Sequence, residues 1–401
     1  MVSRLRSAVQ DLGSEKFSLH WFLFLFSALI YLNSWSNNYT YGDEVVTTEA
    51  NTNVQLGIKG LQQVFDSEGQ TWFDFIPLTA STFVLEHSLV GFYPPLGNLI
   101  QLLLFAISVV LVFVFLDRAF PLVSKPVKFI TSLLFLVHPV HTSVVNDFGG
   151  RAELLGLIFL LLSMLQMLKW RVSKTSSHLM QLMLLAFLCL LSDPSYMVWF
   201  VLPASILAVA YRASFQKVML VLGVYVFPLV IYGAWRFGGV ADANIEAINN
   251  PLILLFETAK FLPTTVASAG IYLKQIVFPY HLCSSYGYGQ ITAVGWGNIE
   301  VVLSLFGYVG LALISAFFIR KKPFVAIGAL ILLVDVLPFT NIFFLQAELA
   351  DEKVLYGGTL GFSMILGGAF QGVFRLDGRK SVSEVFRSNS AARIILGALF
   401  L

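Results

Sequence analysis

Pro95–Leu116 reads PLGNLIQLLLFAISVVLVFVFL, twenty-two residues without an Asp, Glu, Lys or Arg, and it stops on Asp117-Arg118. A helix of that length covers about 33 Å, enough to cross the ~30 Å hydrocarbon core of a bilayer. The segment that follows, Asp117 to Lys128, carries Arg118, Lys125 and Lys128. A short loop rich in Lys and Arg marks the cytoplasmic end of a membrane helix. An apolar run closed by a basic loop is the unit from which the rest of the chain is read.

Working outward, the same test picks out eleven apolar segments, at about 17–35, 95–116, 127–145, 152–170, 179–193, 196–211, 217–235, 299–319, 323–339, 355–373 and a start at 392. Composition agrees, with 57% hydrophobic and 12% charged residues and a mean hydropathy of +0.79. A soluble domain carries roughly a quarter charged residues. The expected fold class is an all-α polytopic membrane protein, a bundle of about 11 transmembrane helices forming one domain over 1–401. The first run follows Arg4, Arg6 and Lys16 with no small-residue cleavage site after it, which reads as a retained signal anchor. The last run begins only about eight residues before Leu401, too few to cross, so the chain is expected to continue.

Net charge is +2, which excludes a general polyanion binder and hence nucleic acid as a partner. Cys189 and Cys283 suggest neither a disulfide framework nor a zinc site.

One alternating topology places nearly every basic loop in the cytoplasm: the N-terminus, 117–128, 169–174, 212–217, 320–322 and 375–393. The opposite, non-cytoplasmic face then receives an outer loop at 36–94, the segments 138–153 and 192–195, a loop with short surface helices at 236–297, and 340–353. Bacterial inner membrane facing the periplasm and endoplasmic reticulum facing the lumen both fit. Pro251–Phe278 is apolar but must cross an even number of times, so it is expected as helices lying on that outer surface.

The candidate chemistry gathers on this face. Asp43 and Glu44 in Tyr41-Gly42-Asp43-Glu44 sit just past the first helix, where a carboxylate can remove a proton from an acceptor hydroxyl. A solvated loop pair is the plainer reading of these two residues. His138 and His141 close the third helix, and Arg151 and Glu153 open the fourth. A helix N-terminus with a guanidinium suits a phosphate, while an internal ion pair of Arg151 with Glu153 explains the same residues. The two histidines rank as interhelical hydrogen-bonding groups before metal ligands, because Pro139 makes the backbone irregular and no carboxylate has ligand spacing. No cofactor follows from the residues, and no metal site is clear. Arg236, His281, Tyr286, Glu352 and Lys353 complete the outer-face set.

In order and spacing, His138-Pro139-Val140-His141-Thr142, Gly150-Arg151-Ala152-Glu153-Leu154-Leu155, Asn250-Pro251-Leu252, Phe278-Pro279-Tyr280-His281-Leu282, Pro338 with Asn341, and Glu352-Lys353-Val354-Leu355-Tyr356 resemble the TMTC-type O-mannosyltransferases over about residues 20–375. These are GT-C membrane glycosyltransferases. The resemblance implies transfer of a sugar, mannose foremost, from a polyprenyl-phosphate-linked donor to a protein hydroxyl on the non-cytoplasmic face. It implies Asp43 and Glu44 as the catalytic carboxylates; for such a reaction the cations Arg151, Arg236 and Lys353 are expected to stabilise the developing charge of the donor phosphate. His138, His141, Glu153, His281, Tyr286 and Glu352 would shape the site. Membrane lipid, the lipid-linked donor and a protein acceptor are the implied partners. Ile76 stands where the family has Arg before Pro77-Leu78-Thr79, Asp193-Pro194 replaces Lys-Glu, Lys353 replaces Arg, and the family's tetratricopeptide repeats are not in this sequence. A transporter or flippase of a lipid-linked or small polar substrate, and an inactive scaffold of the same fold, are the competing readings.

Overall fold

The computed structural model describes residues 17–38, 52–65, 76–236, 249–280, 290–342 and 349–373, with a few single positions between them. Among the described residues the chain is helical and forms no strand. Twelve helices exceed eight residues: α1 (Phe17–Ile30), α2 (Pro77–Val90), α3 (Pro94–Ala119), α4 (Lys125–Leu136), α5 (Arg151–Ser173), α6 (Ser176–Ser192), α7 (Val201–Val209), α8 (Phe215–Arg236), α9 (Phe261–Val277), α10 (Ile299–Phe318), α11 (Pro323–Val336) and α12 (Leu355–Val373).

Proline sets several starts, with Pro77, Pro94, Pro126 and Pro323 in the first turns of α2, α3, α4 and α11, where its missing N–H deprives no partner. Asn298 caps α10 by accepting the Glu300 N–H at 2.7 Å. The helix begun by α4 breaks at His138-Pro139 and resumes to Val145 at a 50° bend. Proline cannot donate to the preceding turn, so a bend is the expected result.

Among the described residues, four helices are long and apolar enough to cross a membrane: Pro94–Ala119, Phe148–Ser173, Phe215–Trp235 and Ile299–Phe318. The bent pair Lys125–Leu136 with Pro139–Val145 makes a fifth if counted as one span. The expected count of about eleven exceeds what length and apolarity support. The remaining predicted segments do form helices, but four of them, Leu19–Ile30, Ser176–Ser192, Pro194–Val209 and Pro323–Phe339, are pieces of 12–17 residues that reach only about 18–26 Å, and the 19-residue α12 is diluted by its glycines. Ten of the eleven predicted segments coincide with helices; the one starting at 392 lies outside the described residues. One element differs from expectation. Helix α2 was not foreseen, because Glu86, His87 and its Ser and Thr residues dilute its apolar pattern. The region expected as surface helices at 251–278 is helical, with a short 3₁₀ helix, Pro251–Leu255, and the helix α9. Helix α9 is wedged against α10, with Ser304 Oγ donating to the Val266 carbonyl at 2.6 Å and Tyr308 Oη to that of Ala269 at 2.6 Å.

Helix α3 lies at the centre, with Phe105, Val109, Val112, Phe113 and Leu116 buried. Helices α8 and α10 turn large apolar side chains outward, among them Phe227, Val230, Phe306 and Leu313. Burying these in lipid costs nothing, whereas polar groups in the bundle need partners. Several have them: the Ser108 and Tyr356 hydroxyls meet at 2.5 Å between α3 and α12. Ser163 and Tyr225 meet at 2.9 Å between α5 and α8. Helices α11 and α12 touch at backbone level, since a Cβ on Gly328 would stand 2.8 Å from the Gly361 carbonyl oxygen and one on Gly361 would strike that of Gly328.

Candidate functional site

The described outer-face candidates converge on one end of the bundle. Arg151, the first residue of α5, is fully buried. Its Nη1 donates to Glu86 Oε2 at 2.8 Å and to Thr82 Oγ1 at 3.2 Å. Its Nε donates to Gln101 Oε1 at 3.2 Å, and its guanidinium lies 3.9 Å over the Phe83 ring. Thr82, Phe83 and Glu86 share one face of α2, because residues three and four apart align on a helix. The ion pair considered between Arg151 and Glu153 therefore forms with Glu86. The charges that act on Glu153 are those of Asp193, Lys353 and Asp351.

Gln101 passes this network on. Its Nε2 donates to the carbonyls of Val144 at 3.0 Å and Asp147 at 2.8 Å, which fixes the chain that follows the α4 break. Asp147 caps the next turn by accepting the Gly149 N–H at 2.8 Å, and its other oxygen pairs with Lys353 Nζ at 2.5 Å. Lys353 is buried, and its N–H donates to Asp351 Oδ1 at 2.9 Å. A continuous polar line thus runs from Glu86 through Arg151, Gln101 and Asp147 to Lys353.

The neighbouring Glu352 accepts from Gln275 Nε2 at 3.2 Å and from the Cys283 N–H. Gln275 also reaches the Tyr286 hydroxyl at 3.3 Å, so α9 and the following loop meet the start of α12 here. Burial raises the Glu352 pKa above its ordinary value, and the Cys283 N–H offsets part of the rise. An acid raised on folding binds its proton more tightly in the folded state. Its stabilising contribution is therefore complete at low pH and is lost as pH rises through the folded pKa. Glu352→Gln is expected to flatten this segment of the pH–stability curve, read from melting temperatures between about pH 4 and pH 8.

His138 Nε2 donates to the Ile276 carbonyl at 2.9 Å, and its Nδ1 accepts the Val140 N–H at 3.4 Å. Both ring nitrogens of this neutral imidazole are in use. Thr359 Oγ1 donates to the Tyr356 carbonyl at 2.7 Å, so His141 Nε2 acts as donor to that hydroxyl, at 2.8 Å. The two rings lie 6.0 Å apart. Among the described residues no group of three His, Cys, Asp or Glu could hold a metal ion. The histidines sit as interhelical connectors.

A last tether closes this end. Asn250 Nδ2 donates to Asn341 Oδ1 and to the Gln346 carbonyl, both at 2.8 Å. Asn341 Nδ2 reaches the Leu349 carbonyl at 3.0 Å. Asn341 holds a left-handed φ of 57°, a conformation that Asn tolerates better than most residues.

Asp43, Glu44 and His281 lie outside the described residues, and Arg236 ends α8 with a side chain that is likewise outside them. Glu86, Gln101 and Asp147 are the residues that sequence reasoning missed. The signal was present for the first two, as a carboxylate and an amide set in apolar helical runs, which in a membrane protein mark interior contacts.

Comparison with known proteins gives a consistent result. Protein O-mannosyl-transferase TMTC4 of Homo sapiens is 26% identical over 383 residues, 81% of this chain and 50% of the relative. Protein O-mannosyl-transferase F38B6.6 of Caenorhabditis elegans is 28% identical over 245 residues, 60% of this chain and 34% of the relative. Protein O-mannosyl-transferase TMTC3 of Homo sapiens is 23% identical over 344 residues, 76% of this chain and 36% of the relative. The chain thus spans between a third and a half of the length of these relatives. No family model matches, and no solved structure does. By its sequence, this membrane chain is related to the TMTC-type protein O-mannosyltransferases.

Proposed function

We propose that the chain is a GT-C glycosyltransferase that moves mannose from a polyprenyl-phosphate-linked donor to a protein hydroxyl at the non-cytoplasmic surface of its membrane. The observation that carries this reading is the similarity to O-mannosyl-transferases over most of the chain. The geometry supports it by bringing Lys353, Asp147, Glu153, Glu352 and the two histidines to one membrane end.

The reaction is a single displacement at the sugar C1. The acceptor oxygen bonds to C1 as the bond from C1 to the phosphate oxygen breaks, and the lipid phosphate leaves with the electron pair. The transition state is oxocarbenium-like, as in other glycosyl transfers. Asp43 or Glu44 takes the hydroxyl proton. Lys353 is the leading phosphate ligand, because a point charge on a flexible stem can turn from Asp147 to an incoming phosphate. Asp147 holds that ammonium ready until then. Arg236 is the second phosphate candidate. Arg151 serves as a strut, its guanidinium being engaged by Glu86, Gln101 and Thr82. His281 and Tyr286 shape the acceptor side.

The test is turnover with a defined polyprenyl-phosphate mannose and a Ser/Thr peptide. Lys353→Gln is expected to lower kcat by about 100- to 1,000-fold, the usual loss on removing one group that stabilises developing anionic charge. Wild-type turnover of the donor without transfer to any hydroxyl acceptor would reject the assignment.

A further inference from the structure

The end of the bundle opposite the candidate site holds a cavity of about 600 Å³. Helix α3 carries Gln101 near its start and reaches the cavity with Ala119 at its end, and the 18-residue rise between them puts about 27 Å between site and cavity. The walls are largely apolar, formed by Phe120, Leu122, Val123, Phe324 and Val325, with Tyr211 and Gln371 at the side. Lys321 and Lys322 also line it. Their ammonium groups lie 4.3 Å over the Phe317 ring and 5.7 Å from the Phe318 ring. Lys322 Nζ sits 3.7 Å from the place where a Cβ on Gly372 would fall. Among the described residues neither lysine has an ion-pair partner, and Asp117 on the adjoining turn is engaged by Lys128 at 2.6 Å.

A cavity of this size is in the range that holds a bound ligand. An apolar interior with two cationic groups at a membrane-helix end matches an anionic phospholipid, whose phosphate meets the ammonium groups while its acyl chain fills the interior. We infer that this cavity is a binding site for one anionic phospholipid, held by Lys321 and Lys322. Charge complementarity selects that occupant over a zwitterionic lipid, because each Lys near an anionic surface contributes a factor of about five.

Native mass spectrometry of the purified full chain, titrated with phosphatidylglycerol, phosphatidylcholine or inorganic phosphate, tests the site. One phosphatidylglycerol per chain is expected to outlast detergent activation. The double variant K321Q/K322Q is expected to bind it about 25-fold more weakly. Val123→Phe, which adds bulk to the cavity wall and leaves both lysines in place, is expected to weaken it as well. Melting curves of both variants in lipid-free detergent check that they remain folded. Equal retention of phosphatidylcholine, or undiminished phosphatidylglycerol binding by both variants, would overturn the site. Inorganic phosphate displacing the lipid at comparable concentration would also overturn it, by showing an anion site that ignores the acyl chain. So would a wild type that retains no lipid, the result expected if another part of this chain or a second copy fills the cavity.

Discussion

Glu86→Ala is expected to destabilise the protein by about 3–5 kcal/mol, the usual loss when one partner of a buried ion pair is removed. Arg151 is fully buried and Glu86 only 8% exposed. The variant removes the carboxylate that accepts from Arg151 Nη1, while the contacts to Gln101 and Thr82 bring no charge. Thermal unfolding in detergent reads the effect. The double variant Glu86→Leu with Arg151→Met is expected to recover most of the loss, because apolar residues of similar volume need no charge compensation. If the double variant melts as low as Glu86→Ala, the pair is not the reason for the loss, and the packing of Phe83 against Arg151 becomes the explanation. Recovery of stability without recovery of transfer would assign Arg151 a part at the donor phosphate after all.

The second large effect concerns the acidic pair. Asp43→Asn and Glu44→Gln, made separately, are each expected to leave the melting temperature unchanged, and one of them is expected to lower kcat by about 100- to 10,000-fold, the range for loss of a general base. The base itself is identified by the pH profile of kcat, since removing it removes the acid limb while removing its neighbour only shifts it. Full transfer by both variants would reduce the pair to a solvated loop feature and move the search to Glu153 and Asp193, the acids that share one electrostatic environment at the same membrane end.

Most helices were legible because apolar runs longer than about fifteen residues have few alternatives in a membrane. The run at 95–116 appears as α3, extended by a proline start and a short polar end. The bend at His138 was legible in Pro139. Helix α2 was not, because its role is to present Thr82 and Glu86 to Arg151, and that requires the polar residues that hide it from an apolarity test. Of the candidate site, His138, Arg151, Glu352 and Lys353 were found from charge and position. Their partners were not, because Glu86, Gln101 and Asp147 lie 65, 50 and 206 residues away in sequence from the groups they hold, and one-dimensional spacing carries no record of helix packing. The fate of the Arg151 charge was the sharpest example. The sequence offered Glu153, two positions along the same helix, but residues two apart point away from one another.

The backbone contact of Gly328 with Gly361 bears on how the protein can move. Side chains between helices act as a compressible layer that lets one helix shift along another, and at the Gly328–Gly361 crossing backbone meets backbone with no side chain from either glycine between them. Helices α11 and α12 therefore behave as one stiff spar. The spar ends in Asn341 on one arm and follows Lys353 on the other, and Asn250 and Asp147 pin both to the rest of the bundle. The donor proposed above would need a lateral opening for its lipid chain, and the spar is the wall least able to supply one. An opening would fall to helices such as α9 and α10, where the Ser304 and Tyr308 hydroxyls hold backbone carbonyls by contacts that can part and re-form without bending the backbone.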